Sequence, residues 1–413
     1  MVKAIKLIGF QISGHSLFED GTKFTIQTAG QVTSKTKKRV TAFNDVLTIN
    51  KTIGLVGINA TGKSTLMNIF KGLNDFYLES LSIDQTDLFK SFWPRKDSIE
   101  IIGFLASNEG DRYRVETSFN ETFNDRDLPV WRISDEKVFH SNVKVPKSRY
   151  FEFDGQAPEV HRSKLSDNEL RLLSSEDSIF RIYNQTANVY EVLSTVPITD
   201  RNVVQSFSDE TPTELLEYLD NSIDYLKYQV DEDNNTIGYK LKFKNSERQI
   251  TVADFNDIGK YVSSGTVKGI TLFFEFLTAL RSGATLLVDE IELHVNKQIV
   301  RDFIGFFTDP RVNVNKSTLI YSSHYIELTD DLKRKDEEYV LTRNKETEVH
   351  RMNEENIRTE LKNSDIFGSN ALNGTAPSYE RLRKLRQTII EHNSPQVRKV
   401  SSTSKKNRGE RGE

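Results

Sequence analysis

Short hydrophobic runs alternate with polar turns through residues 1–56. The segments AIKLIGFQI, KFTIQT and LTIN have the spacing of β-strands, and TIGLV is a short apolar run that predicts a buried strand. The basic segment TSKTKKR, residues 33–39, lies between these runs, and we expect it to form a solvated hairpin tip. From Lys63 onward the period becomes that of a helix, because apolar residues recur at i, i+3, i+4 and i+7: Leu66, Ile69, Phe70 and Leu73.

The middle of the chain is less regular, and residues 130–210 follow no single period. IEIIGFLAS and YRVETSF flank NEGDR and predict a β-hairpin. YKLKF and QITVADF, on either side of KNSER, predict a second pair of strands. Before them, PTELLEYLDNSIDYLKYQV predicts one helix whose apolar face carries Leu215, Leu219, Ile223 and Leu226.

The later part of the chain combines helices with buried strands. VKGITLFFEFLTALRSG predicts an amphipathic helix that Gly283 ends. TLLVDE and TLIYSSH are apolar strands that finish in polar residues, and the helix VNKQIVRDFIGFF lies between them. This strand–helix–strand order predicts a parallel crossover and therefore an α/β fold.

Composition points to a globular protein outside the membrane. Of the 413 residues, 36% are hydrophobic and 28% are charged, and the net charge of −4 gives no global basic signal for nucleic acid, which leaves local DNA-binding patches open. The absence of cysteine excludes disulfides, cysteine zinc sites and thiol nucleophiles. The apolar run ITLFFEFL contains Glu275 and is shorter than the ~18 residues of a membrane span. MVKAIKLIGFQISG does not have the pattern of a signal peptide. We therefore expect a cytoplasmic protein.

The segment GINATGKST matches the phosphate-loop motif G-x-x-x-x-G-K-[ST], after a predicted strand and at the start of a predicted helix. Backbone N–H groups at such a helix start point at phosphate oxygens. Lys63 is expected to reach the terminal phosphates, and Ser64 to give a hydroxyl to Mg²⁺. The candidate residues for binding ATP are Gly57, Ile58, Asn59, Ala60, Thr61, Gly62, Lys63, Ser64 and Thr65.

Two further polar groups follow predicted strands. Asp289 and Glu290 end TLLVDE, where one carboxylate can hold Mg²⁺ and the next can orient or deprotonate a water molecule. His324 follows TLIYSS and is a candidate contact of the γ-phosphate or of that water. Each has a plainer interpretation, as a strand end or a structural histidine. Ligands of open parallel sheets gather at the carboxyl ends of the strands, so these groups and the phosphate loop are expected on one rim.

The segment VSSGT lies between a predicted strand and the start of a predicted helix. With it, the four motifs resemble, in order, those of the ATP-binding-cassette (ABC) ATPases: phosphate loop, signature, acidic pair and switch histidine. The resemblance implies that the signature turn binds the γ-phosphate held by a second subunit; its residues are Ser263, Ser264, Gly265 and Thr266. The plainer alternative is a helix N-cap, which needs only one of these side chains.

A closer resemblance is to the ABC-type ATPases of the OLD and abortive-infection type, which share SSGT and a DEIE-x-LHP-like sequence. This chain has DEIELHVN, so it departs from the pattern after His294, and the role of His294 is not carried over. The resemblance covers mainly residues 1–72 and 240–345. Many such ATPases act in phage defence or DNA repair with a nuclease domain or partner. Gln85 is the candidate for the glutamine of a Q-loop.

The resemblance implies an ABC-type P-loop ATPase with a mixed sheet, N-terminal antiparallel strands, a long α+β insertion and a small C-terminal extension. DEIE in place of the usual DEPT argues against a transporter subunit, and the lack of cysteine excludes a zinc-hook repair ATPase. Only 89 residues follow His324, too few for a Toprim nuclease domain. The predicted parts are 1–75 and 239–345 for the ATPase, 76–238 for the insertion, 346–394 for a helical extension and 395–413 for a disordered basic tail.

The function we expect is ATP-driven assembly of a homodimer or higher oligomer that regulates a separate nuclease or toxin in anti-phage defence. Glu290, His324 and Lys63 are the expected catalytic residues, and Ser64 and Asp289 the expected Mg²⁺ ligands. Two alternatives stay open: a DNA-binding repair or chromosome-maintenance clamp, and a nucleotide-gated scaffold with little turnover.

Overall fold

A computed structural model gives the structure of the protein and describes most of the chain. The described residues are 2–95, 97–166, 168–169, 173–184, 187–199, 210–232, 236–355, 362–368 and 379–392. Among them, no helix combines the length and the apolar character needed to cross a membrane. The predicted basic tail, residues 395–413, lies outside the described residues.

Strands and helices are numbered here along the chain. The strands are β1 Ala4–Ser13, β2 Thr22–Thr25, β3 Val40–Ala42, β4 Thr48–Asn50, β5 Thr52–Val56, β6 Ser98–Ser107, β7 Arg112–Phe123, β8 Pro129–Ser141, β9 Val160–His161, β10 Asn188–Val189, β11 Val192–Ser194, β12 Ile223–Val230, β13 Thr236–Phe243, β14 Gln249–Val252, β15 Thr285–Val288, β16 Thr318–Ser323, β17 Glu338–Arg343 and β18 Thr347–Arg351. The α-helices are α1 Lys63–Tyr77, α2 Arg181–Asn184, α3 Thr213–Leu219, α4 Ser264–Ser282, α5 Lys297–Thr308, α6 Asn363–Gly368 and α7 Tyr379–His392.

A six-stranded sheet in the order β11–β15–β16–β5–β17–β18 positions the candidate site, and all its neighbouring pairs are parallel except β17–β18. Successive residues point to opposite faces of a strand. Leu287 and Ile320 accordingly pack in one hydrophobic core with α1, and Leu286 and Leu319 pack in a second with α4 and α5. Helices therefore cover both faces of this sheet, which confirms the α/β prediction and the β15–α5–β16 crossover.

A second sheet joins the N-terminal strands to part of the predicted insertion. Its order is β10–β1–β6–β7–β8–β9, with β2 also paired to β1, and β1, β2, β6, β7, β8 and β9 pair antiparallel. The predicted hairpin around NEGDR is confirmed as β6 and β7. Strands β6 and β11 of the predicted insertion, residues 76–238, pair with β1 and β15, so these parts of the insertion share sheets with the ATPase segments. Whether the predicted boundaries separate functions stays a prediction.

Residues 212–230 were expected to form one helix, and this expectation is wrong for the second half. Helix α3 ends at Leu219, and β12 begins at Ile223. Asp220 forms the turn between them, where its carboxylate accepts a hydrogen bond from the backbone N–H of Ser222 at 3.0 Å. Strand β12 then pairs antiparallel with β13, which in turn pairs with β14 around KNSER as predicted. Strand pairing, which local periodicity does not reveal, decides the conformation here.

The segment TSKTKKR was expected to be a solvated hairpin tip, and this is wrong in two respects. Most of the segment is exposed, but the strands on either side of it, β2 and β3, pair with β1 and β4 instead of with each other, and its last residue is buried. Lys37–Arg39 form a short 3-10 helix in which Arg39 is buried. The Nε of Arg39 lies 2.8 Å from a carboxylate oxygen of the buried Glu337, and its Nη2 donates to the Thr52 hydroxyl at 3.2 Å. The ion pair satisfies a guanidinium that would otherwise be costly to bury.

The C-terminal extension was expected to be helical. Its described part contains the helices α6 and α7, but its first element is strand β18, which pairs with β17 at the edge of the six-stranded sheet.

Candidate active site

Three neighbouring strands carry the predicted site groups at their carboxyl ends. The phosphate loop follows β5, His324 follows β16, and the acidic pair Asp289 and Glu290 follows β15. Strand β16 lies between the other two. A cavity of about 200 Å³ opens at this rim, and it is lined by Asn59, Ala60, Thr61, Gly62, Lys63, Ser64, Thr65, Asp289, Glu290 and His324. The structure therefore brings the predicted groups together as the sheet topology required.

The phosphate loop, residues Gly57–Thr65, is held in shape by its own contacts. Gly62 has a φ of 91°, a left-handed conformation that glycine adopts without steric cost, and helix α1 begins at the next residue. Ala60 also has a positive φ, of 63°, which is strained for a residue with a Cβ. The Thr61 hydroxyl donates to the Ile58 carbonyl at 2.9 Å. The loop is thus folded around the start of α1, where backbone N–H groups are free to bind an anion.

Lys63, the first residue of α1, has a buried side chain. Its Nζ donates to the carbonyl oxygens of Gly57, at 2.8 Å, and Ile58, at 3.3 Å. Burial lowers the pKa of the Lys63 ammonium, and the nearby carboxylates of Asp289, Glu290 and Glu292 oppose that shift. A phosphate group would give this amine a charged acceptor in place of neutral carbonyls, and a charge-assisted hydrogen bond is the stronger kind.

Ser64 and Asp289 form the pair expected for a magnesium ion. The Ser64 hydroxyl donates to Oδ2 of Asp289 at 2.6 Å, and the other carboxylate oxygen accepts from the Ser322 hydroxyl at 2.5 Å. Mg²⁺ prefers oxygen ligands and takes one or two carboxylates together with substrate phosphates. A hydroxyl and a carboxylate beside a phosphate-binding loop therefore fit this metal.

Ser322 was not identified from the sequence. It is completely buried in β16, and its Oγ also accepts the backbone N–H of Glu290 at 2.8 Å. One hydroxyl thus fixes both members of the acidic pair. The signal available in the sequence was a serine directly after the apolar run LIY in TLIYSS.

Glu290 and His324 face each other across the cavity mouth. The Nε2 of His324 lies 3.4 Å from a carboxylate oxygen of Glu290, and its Nδ1 lies 3.2 Å from the Gly57 carbonyl. Because a carbonyl only accepts, Nδ1 carries a hydrogen in this contact. Glu290 has a φ of 45°, a strained conformation that occurs at active sites. Glu292, also missed in the sequence, accepts the backbone N–H of His324 at 2.6 Å and holds that backbone.

The signature turn, residues Ser263–Thr266, divides its two serines between different environments. Ser263 caps α4, since its Oγ accepts the Thr266 backbone N–H at 3.1 Å. Ser264 is exposed, and within the described part of the chain its hydroxyl has no hydrogen bond. A Cβ on Gly265 would lie 2.6 Å from the His294 carbonyl, so the turn packs tightly on the segment after the acidic pair. These four residues do not line the cavity of their own chain.

The Q-loop candidate Gln85 is used elsewhere. Its side-chain oxygen accepts the Ser82 backbone N–H at 3.1 Å in a capping box, and it does not line the cavity. Arg343 belongs to none of the motifs identified in the sequence, but it contacts the phosphate loop. Its Nη1 donates to the Ala60 carbonyl at 2.8 Å.

The arrangement of strands and motifs agrees with a match to one protein family. Residues 53–330, more than half of the chain, match the sequence model described as "AAA domain, putative AbiEii toxin, Type IV TA system". The chain belongs to this family. It is a P-loop ATPase of the abortive-infection type, as the sequence resemblance indicated. Membership supports nucleotide binding at the phosphate loop. Among curated proteins, none matches this sequence.

Proposed function

We propose that this AAA-domain protein hydrolyses ATP to ADP and phosphate across a head-to-tail dimer and thereby controls a separate effector. The observation that carries the proposal is the group of side chains around one cavity: Lys63 on the phosphate loop, Ser64 beside Asp289, and Glu290 facing His324. Phosphoryl transfer needs positioning and charge stabilisation more than covalent chemistry, and these are the groups that supply them.

In the proposed reaction, the loop N–H groups and Lys63 bind the β- and γ-phosphates. Mg²⁺, when bound, would neutralise phosphate charge, and Ser64 and Asp289 would hold it. Glu290 accepts a proton from a water molecule as the water oxygen attacks the γ-phosphorus, and the bond to the β-phosphate oxygen breaks to release ADP. His324 orients the same water or contacts the γ-phosphate. Ser322 holds the acidic pair in position, and Glu292 holds the backbone of His324.

The signature turn supports assembly of two chains. The start of the 19-residue helix α4 presents backbone N–H groups and the positive end of the helix dipole. Among the described residues, the Ser264 hydroxyl has no hydrogen bond, while Ser263 supplies the cap. A second copy would bring its bound γ-phosphate to this turn, so that ATP joins the two subunits.

The biological role we propose is defence against phage through a separate nuclease or toxin, with ATP-driven assembly controlling that partner. Support comes from the family description, which names a toxin and a toxin–antitoxin system. We place the protein in the cytoplasm. If the protein is instead a DNA-binding clamp, DNA should stimulate ATP turnover. An assay of turnover with and without DNA tests this alternative directly.

The decisive variant is Glu290→Gln, because glutamine keeps the size of the side chain but does not accept the proton. ATP should still bind and hold a dimer, while turnover falls by about 10²–10⁴-fold, the usual contribution of a general base. Asp289→Asn should instead weaken Mg²⁺-dependent ATP binding. Turnover and the mass by light scattering are measured with ATP and Mg²⁺. Glu109→Gln, which removes an exposed carboxylate from the β6–β7 turn, is the matched control.

Turnover at the wild-type rate in Glu290→Gln would remove Glu290 from its proposed role. A monomer at saturating ATP in this variant would count against the head-to-tail dimer.

A further inference from the structure

The shape of the phosphate loop depends on one unfavourable residue. Ala60 lines the cavity and adopts a left-handed conformation with a φ of 63°. For an alanine this conformation is disfavoured, because the Cβ approaches the following carbonyl oxygen. Ala60 is also exposed, so the surrounding core does not enforce the conformation. Some other contact must favour the left-handed conformation if the loop is to be ready for phosphate.

Arg343 supplies such a contact. Its Nη1 donates to the Ala60 carbonyl at 2.8 Å. Lys63 and Thr61 hold the loop at Gly57 and Ile58, from within. The arginine therefore acts on the part of the loop that these two side chains do not reach.

The backbone of Arg343 is itself well anchored. Arg343 ends β17 and pairs with Thr347, the first residue of β18. The Thr347 backbone N–H donates to the Leu17 carbonyl at 2.7 Å, and its carbonyl accepts from Glu19 at 3.1 Å. The turn that carries Arg343 is thus fixed to the β1–β2 connection, and the guanidinium reaches the loop from a rigid support.

We infer that Arg343 is a positioning residue for nucleotide binding: it holds the strained Ala60 in the conformation that the phosphate loop needs. The inference rests on the proposed function, since it concerns the same ATP site. Arg343 acts through the backbone of the loop, and Ala60 is the residue through which it acts. Substitutions at Arg343 and Ala60 should therefore have coupled effects on the affinity for ATP, and a double-mutant cycle measures that coupling.

The experiment compares Arg343→Ala in two backgrounds, the natural Ala60 and Ala60→Gly, in the full chain with ATP and Mg²⁺. With Ala60, the Kd and KM for ATP should rise about fivefold to tenfold, the effect of one net hydrogen bond, while kcat at saturating ATP stays unchanged. In the Ala60→Gly background, Arg343→Ala should raise the Kd and KM for ATP by less than about twofold, because glycine adopts a positive φ readily. Arg343→Lys, whose ammonium can also donate to the carbonyl, should keep most of the affinity.

The matched control is Lys345→Ala, which removes an exposed positive charge from the same turn and should leave the Kd unchanged. An equal loss of affinity in both backgrounds would overturn the inference, because Arg343 would then act without Ala60, for example by touching the nucleotide. Unchanged affinity in Arg343→Ala would overturn it as well. A wild-type protein that binds no ATP would instead refute the proposed function, so the two failures are distinguishable.

Discussion

Ser322→Ala tests whether a single buried hydroxyl organises the acidic pair. The substitution removes the donor at 2.5 Å from the Asp289 carboxylate and the acceptor at 2.8 Å from the Glu290 N–H, and it leaves the strand otherwise intact. A hydrogen bond to a charged group contributes about 1.5–3 kcal/mol and a neutral one about 0.5–1.5 kcal/mol. Loss of both should lower the free energy of unfolding by about 2–4 kcal/mol. Turnover should fall by about 10–100-fold, as for other residues that orient metal ligands.

The measurements are urea denaturation monitored by circular dichroism and steady-state ATP turnover over a range of Mg²⁺ concentrations. Ser323→Ala is the matched control, because Ser323 is also buried in β16 but accepts the Tyr325 backbone N–H at 2.9 Å and does not contact the acidic pair. It should lose some stability but keep its Mg²⁺ dependence. The reasoning fails if the two variants have the same turnover and the same response to Mg²⁺.

Three further substitutions have expected outcomes. Lys63→Ala should abolish ATP binding or turnover without changing the circular dichroism spectrum, because it removes the proposed contact with the phosphates; normal turnover in a folded variant would place the site elsewhere. Ser264→Arg should leave binding of ATP to the monomer largely unchanged but prevent ATP-dependent dimerisation measured by light scattering, whereas loss of binding with dimerisation kept would contradict the signature assignment. Arg39→Ala should lower the free energy of unfolding in urea by about 3–5 kcal/mol, since it leaves Glu337 buried without its partner. The neighbouring Lys38→Ala, at an exposed position, should change it by less than about 0.5 kcal/mol, and equal effects would refute the buried pair.

The phosphate loop could be predicted from sequence because its chemistry is local. The glycines, Lys63 and Ser64 lie within nine residues between one strand and one helix, so the motif and its setting are contiguous. Predicting that the acidic pair and His324 lie beside this loop required one further rule, that ligands of parallel sheets bind at the carboxyl ends of the strands. The strand order β15–β16–β5 satisfies that rule.

The errors arose where distant pairing or a distant charge decides the local conformation. Residues 223–230 have apolar residues at spacings that suit one face of a helix, yet they form β12 because β13 provides a partner strand. Arg39 lies in a basic run, and only the fold shows that Glu337, 298 positions later, is buried against it. Neither partner is adjacent in sequence, so no local pattern reveals the contact.

The role of Ser322 could be predicted from the sequence only in part. A serine whose side chain faces a buried sheet interior must find hydrogen-bond partners, because an unsatisfied polar group there costs free energy. A buried serine at the end of TLIYSS can meet this requirement locally, as Ser323 does with the Tyr325 backbone N–H, or through a polar group on a neighbouring strand, as Ser322 does. The neighbour is β15, whose carboxyl end carries Asp289 and Glu290. Once the order of the strands is known, the acidic pair is therefore a candidate partner of Ser322, and in the structure the pair's orientation depends on this residue, which no motif contains.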